Sequence, residues 1–233
     1  MNNHSMNRKR DGFSLIEMLV VIAIIALLAA MLIPLIGGVI EKGRRTSCST
    51  NLKNLSAIMT SSATDHNDLY PRLHLEANRS PYWFDQKVRE LNLVDYGLDR
   101  EICYCPSNKK LWNRDDFWNW GGGTKESVWG YAYLAADTPW PKYYTYPDYE
   151  DVPKDEIFAK RTTDIPSDPI IWTDLNRQLG EFGWFGPGRQ GANHLKGSRP
   201  AGANEAFMDG HIKWVDWSEM GKRMEGSSLQ LYW

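Results

Sequence analysis

The sequence contains no Gly-x-Ser-x-Gly elbow, no His-Glu-x-x-His helix, no phosphate-binding loop and no dinucleotide fingerprint, so the common nucleophilic, metalloprotease and nucleotide chemistries find no anchor in it. Histidine is scarce, and His4, His66, His74, His194 and His211 share no ligand spacing. A cationic surplus is lacking as well. The formal charge of −2 and the pI near 6.2 leave nothing to grip phosphate backbones, which argues against nucleic acid as a partner. Tryptophan is missing before Trp83, although the chain has eleven. Charge is missing from Met18 to Ile40, a run of 23 residues, and a bilayer core needs roughly 20. Only one such run is present. With 42% apolar and 24% charged residues overall, the roughly 190 residues beyond it suffice for one soluble domain with its own core.

Ahead of that run stands a basic leader, Arg8-Lys9-Arg10-Asp11-Gly12, which ends at glycine before Phe13-Ser14-Leu15-Ile16-Glu17. A secretory signal would place a small-x-small cleavage site after its apolar stretch. No Ala-x-Ala occurs in this one, and its length is about twice that of a signal core, so a retained span is expected. Glu17 is the anomaly. A carboxylate costs roughly 2.5–3.5 kcal/mol near mid-bilayer and somewhat less towards the interface, so it calls for a compensating charge. A cut between Gly12 and Phe13 would create an ammonium about one helical turn from Glu17. A neighbouring copy can present that charge more easily than the same helix can fold its first residue onto its fifth.

Gly12-Phe13-Ser14-Leu15-Ile16-Glu17, with the apolar helix and Pro34 at the twenty-second place counted from Phe13, resembles the class III signal of type IV pilins and type II secretion pseudopilins. The resemblance implies that an inner-membrane prepilin peptidase cuts after Gly12 and methylates the amine of Phe13. It implies further that Glu17 registers the subunit in a filament built with other pilin-like subunits, and that Pro34 belongs to the assembly helix. The simpler alternative is a signal anchor whose Glu17 snorkels to the headgroups. Orientation does not decide between them, because Lys42, Arg44 and Arg45 balance Arg8, Lys9 and Arg10 across the span.

Past Ile40 the helical period continues, with Cys48, Leu52, Leu55 and Met59 at three- and four-residue steps. One long helix over 13–62 is expected, with 13–40 in the membrane or assembly core, residues 1–12 as leader and 63–233 as the soluble domain. Pro34 and Gly37-Gly38 are where it would bend. The stretch Arg44–Leu55, Cys105-Pro106-Ser107, Tyr131-Ala132-Tyr133 and Ala203–Trp214 is also similar to a large pilin-like group whose C-terminal part carries a histidine, about nine residues, then Asp-Gly. His194, Asp209 and Gly210 would be that motif. Here residues 195–208 separate them, fourteen in all, which points to an insertion around Lys196–Ala201.

Strand signals lie at Glu101–Tyr104, Trp129–Leu134, Ile170–Thr173, Glu205–Met208 and His211–Val215, and Tyr82–Leu91 reads as a short helix. Asp209-Gly210 suits a type I′ turn between the last two strands. Alternation of Ile212, Trp214 and Asp216-Trp217 predicts one buried and one wet face. The fold class is therefore α+β: a pilin-like long N-terminal helix, transmembrane in its first half, packed on a small antiparallel sheet with long aromatic-rich loops.

Cys48, Cys103 and Cys105 are an odd number. Cys103 and Cys105 are too close to bridge each other easily, so one of them would pair with Cys48. A zinc site would need the Cys-x-Cys plus His194 or His211, and no metal or other cofactor is expected. Trp112, Trp118, Trp120, Trp129 and Trp140 are candidates for stacking on sugar, though ring packing in the core is the commoner use. Asp164, Asp168, Asp174 and Asn176 lack the Asp-x-Asp-x-Asp-Gly spacing of a calcium loop and read as a solvated loop. The function expected is a non-enzymatic structural subunit of a type IV pilus- or type II secretion-like filament, inserted once in the cytoplasmic membrane with its domain in the periplasm or at the cell surface. The alternative is a non-polymerising, membrane-anchored periplasmic binding protein, with polysaccharide as its ligand class.

Overall fold

A computed structural model of the chain describes residues 13–73, 80–86, 93–108, 115–119, 126–135, 144–178, 185–186, 189–226 and 230–233. It forms two compact units, Met1–Lys42 and Gly43–Trp233.

Helix α1 runs Leu15–Asp65 and remains helical through Pro34 and Gly37-Gly38. Its start carries one half of a capping box: the backbone N–H of Ser14, just ahead of the helix, donates to Glu17 Oε2 at 2.8 Å. It stops beyond Asp65, three residues later than the hydrophobic period indicates, where Asn67 and Asp68 take left-handed backbone with φ of 56° and 61°. In the first unit the stretch Leu15–Ile33 is long and apolar enough to cross a membrane, and none of it is buried within the chain. In the second unit Cys48, Leu52, Leu55, Met59 and Ala63 are wholly buried. Their three- and four-residue spacing is one face of a helix.

The strands are β1 Trp83–Asp85, β2 Glu126–Val128, β3 Tyr131–Tyr133, β4 Ile170–Asp174, β5 Arg177–Gln178, β6 Phe185–Gly186, β7 Arg189–Gln190, β8 His194–Lys196, β9 Arg199–Phe207, β10 Ile212–Asp216, β11 Lys222–Glu225 and β12 Gln230–Tyr232. The central antiparallel sheet has the order β10-β9-β4-β3, with β8 also paired to β9. Gly202 pairs with both Asp216 of β10 and His194 of β8, while Glu205 and Ala206 pair with both β10 and β4. Strands β4 and β8 therefore follow one another along the same edge of β9. That succession sets Asp174, where β4 ends, beside His194, where β8 begins. At Gly202, φ is +149° and an added Cβ would lie 2.2 Å from the Val215 carbonyl oxygen, so only glycine lets β9 and β10 approach there.

The helix meets the sheet through polar as well as apolar contacts. Asn51 Nδ2 donates to the Tyr131 hydroxyl and the Tyr104 carbonyl, each at 3.2 Å, and Asn204 Nδ2 donates to the Arg45 carbonyl. The Arg45 guanidinium lies 3.9 Å from the centroid of the Trp214 ring. The core is aromatic: Trp129 stacks on Trp172 at 5.9 Å and 7°, flanked by Phe84 at 4.3 Å from Trp129 and Tyr133 at 4.6 Å from Trp172. These contacts and the antiparallel sheets are the α+β arrangement expected from the sequence.

Several local expectations are corrected. Glu101–Cys103 is a 3-10 turn, not a strand; Cys103 N–H donates to the Arg100 carbonyl, which closes the turn. Tyr82–Leu91 does not begin as a helix, because Trp83–Asp85 pairs with β2, and residues 87–91 of that range lie outside the described residues. The Asp209-Gly210 turn is not type I′. Only Gly210 has a positive φ, +85°, and Gly210 N–H and Phe207 N–H bond to Phe207 and His211 carbonyls. That is a three-residue connection with glycine at its left-handed position. In β10, Ile212 and Trp214 are half-buried while Val215, on the opposite face, is buried, so neither face is simply wet. The extra residues between His194 and Asp209 form the β8–β9 hairpin, which reverses at Gly197-Ser198.

Candidate functional site

Of the expected processing and assembly residues, Phe13 and Glu17 stand at the start of α1. Gly12 lies outside the described residues, and Phe13, next to it, is 71% exposed. Glu17 holds the Ser14 N–H, so within one chain its carboxylate already satisfies one of the open donors at the helix start. Pro34 sits inside the helix. Ser14-x-x-Glu17 is the sequence signal of this cap.

A second cluster is buried in the domain. Cys48 of α1, Cys105 after the 3-10 turn, Asp174 of β4 and His194 of β8 are each 0% exposed, and their ligand atoms lie within 4.8 Å of one another. Cys48 Sγ and Cys105 Sγ are 2.7 Å apart, with no disulfide between them. His194 Nε2 is 3.6 Å from Cys105 Sγ and 3.2 Å from Asp174 Oδ2. Burial pushes both thiols up from their ordinary range. Burial acts the same way on Asp174, but the His194 charge and hydrogen bonds from His194, Asn193 and Asn204 outweigh it, and its carboxyl lies below the ordinary range. Asn193 Nδ2 reaches Asp174 Oδ1 at 2.9 Å, and Asn204 reaches Oδ2 through its backbone N–H at 2.7 Å and its Nδ2 at 2.8 Å. Cys103 stands apart, donating to the Asp99 carbonyl at 3.3 Å.

The remaining sequence candidates do not converge. His211 Nδ1 contacts Asp209 Oδ1 at 2.5 Å on the exposed β9–β10 turn, at the end of β9 opposite to Gly202, which pairs with His194. Asp164 accepts the backbone N–H groups of Lys160 and Arg161. Asp168 accepts the Tyr149 hydroxyl and the Trp233 indole N–H. Asp168, Asp174 and Asn176 are buried, not the solvated loop that their spacing indicated. Trp129 is wholly buried, and Trp118 is half-buried and stacked on it at 6.4 Å. Trp112, Trp120 and Trp140 lie outside the described residues.

Residues 7–33 match the family described as the prokaryotic N-terminal methylation motif. No curated protein and no solved structure matches the chain. The motif supports a prepilin-like signal, and hence a type IV pilin- or pseudopilin-like precursor. With the apolar helix it points to a membrane-anchored protein. The match does not reach the C-terminal part, where the likeness to the His and Asp-Gly group rests on the residues themselves.

Proposed function

We propose that this chain is a pilin- or pseudopilin-like structural subunit, cut after Gly12 by a prepilin peptidase, methylated on Phe13 and assembled with other pilin-like subunits into a type IV pilus- or type II secretion-like filament. The observation that carries this reading is the methylation motif over 7–33 laid on an apolar helix whose side chains find no cover inside the chain. Such a helix needs lipid before assembly and neighbouring helices after it. Glu17 then changes partner: it holds Ser14 N–H in the precursor and receives the ammonium of a neighbour's Phe13 in the filament. The domain from Gly43 onward lies on the periplasmic side and forms the exposed surface. Its role is structural, and it turns over no substrate.

Intact-mass measurement of the membrane-extracted protein tests the processing step. Loss of residues 1–12 with gain of one methyl is the expected result, and a chain that still begins at Met1 overturns the reading. Glu17→Gln tests the pairing, because glutamine can still accept from Ser14 N–H but carries no charge. The variant is expected to insert and be cut, yet to be lost from sheared filaments.

A further inference from the structure

Among the described residues, Cys48, Cys105, Asp174 and His194 come from four separate stretches of chain and bring their ligand atoms within 4.8 Å of one another. A nucleophilic Cys-His-Asp relay would divide the imidazole, one nitrogen facing the sulfur and the other the carboxylate. Here the same nitrogen, Nε2, faces both Cys105 Sγ and Asp174 Oδ2. With sulfur and carboxylate both on Nε2 the arrangement is not a relay. It is four donor atoms within 4.8 Å of one another, with room for one cation among them.

We infer that Cys48, Cys105, Asp174 and His194 form a structural zinc site that ties α1 to the central sheet. Two thiolates, one imidazole and one carboxylate are a closed, four-ligand set of the borderline-soft kind that zinc takes. With Zn–S about 2.3 Å and Zn–N or Zn–O about 2.0–2.1 Å, the edges of the tetrahedron are roughly 3.3–3.8 Å. The Cys105–His194 and His194–Asp174 separations of 3.6 and 3.2 Å already have that size. The sulfur pair at 2.7 Å has to open by about 1 Å.

An outer shell is built around the ligands. Asn108 N–H donates to the Cys105 carbonyl at 3.0 Å and closes a turn beside that ligand. Asn193 and Asn204 fix the Asp174 carboxylate. Outer hydrogen bonds of this kind orient ligands and hold their charge. The site is independent of filament assembly, so it stands or falls separately from the proposed function.

The test uses the full chain, extracted in detergent and purified without chelator. One equivalent of zinc by inductively coupled plasma mass spectrometry is expected, with three thiols titrating after unfolding in chelator, one for each cysteine. Exchange for cobalt(II) should give the absorption of a tetrahedral thiolate site. Cys103→Ser should keep both signals, and Cys48→Ser should lose them. Should Cys48→Ser fail to fold, Asn193→Ala, which removes a donor from Asp174, takes its place and is expected to lose zinc to a competing chelator roughly tenfold more readily. Metal-free protein with a single titrating thiol, the mark of a Cys48–Cys105 disulfide, overturns the inference. Metal-free protein with three thiols overturns it equally.

Discussion

Raising the pH from 5 to 8 should weaken the domain through one side chain, Glu205. It lies on β9 at 5% exposure, paired in register with Thr173 of β4 and Lys213 of β10. Burial pushes its carboxyl up to about 7; the Asp168 charge and, more weakly, Asp174 add to the rise, while Arg223 and Lys213 oppose it. The folded state therefore holds this proton more tightly than the unfolded chain, whose value is 4.5. Stability is greatest below 4.5 and falls as pH rises through about 7. A difference of 7 − 4.5 is 2.5 units, worth about 3 kcal/mol once Glu205 is fully ionised. Between pH 5 and 8 about 2–3 kcal/mol of that is lost, or roughly 4–12 °C in Tm for a chain of this size. Glu205→Gln removes the titration with little change of shape. Chemical unfolding of the full chain in detergent, followed by tryptophan fluorescence at both pH values, reads the difference between variant and wild type. Groups titrating elsewhere cancel in that difference. Glu205→Gln should gain about 2–3 kcal/mol on wild type as the pH rises. A gap that does not change with pH refutes the reasoning.

Gly202→Ala should destabilise the domain by about 3 kcal/mol or more, measured by the same unfolding curve, since the new Cβ meets the Val215 carbonyl and the Trp214 ring in a backbone conformation strained for alanine. Trp172→Ala should cost about 3–5 kcal/mol, because it leaves a hole between Trp129, Tyr133 and Phe84. Asn193→Ala should cost about 1–3 kcal/mol by stripping a donor from Asp174 and from the Gly130 carbonyl, both buried.

The sequence was most legible where one period governs a segment. The three- and four-residue steps of Cys48, Leu52, Leu55 and Met59 are a property of the helix itself, and all four side chains are wholly buried. The same holds for Ile170–Thr173, an apolar run long enough to be a buried strand. Glu101–Tyr104 failed because a run of four cannot tell a strand from a single helical turn. Its fate was decided by Cys103 N–H closing on Arg100. The buried cluster was illegible for another reason. Its members were visible only in part, the cysteines as a disulfide or, with His194, as what a zinc site would need, and Asp174 as a loop acid. What unites them is that β4 and β8 share an edge of β9, a fact of register that no local pattern holds.

Register also accounts for the long gap between His194 and Asp-Gly. A histidine with nine residues between it and Asp209 would stand at position 199, the outer end of β9, where Arg199 is exposed. Here the chain doubles back instead: His194 sits on β8, reverses at Gly197-Ser198 and pairs with Gly202. The five residues from 194 to 198 thus act as a strand and a turn, not as a spacer. They carry the imidazole across the hairpin onto the edge that β4 occupies, within 3.2 Å of Asp174. Gly202 is what permits the crossing, because β9 must press against β10 at the residue that faces His194. Gly202→Ala should therefore disturb the His194 environment along with stability, and a Gly202→Ala protein that unfolds early yet keeps its zinc would separate the two effects.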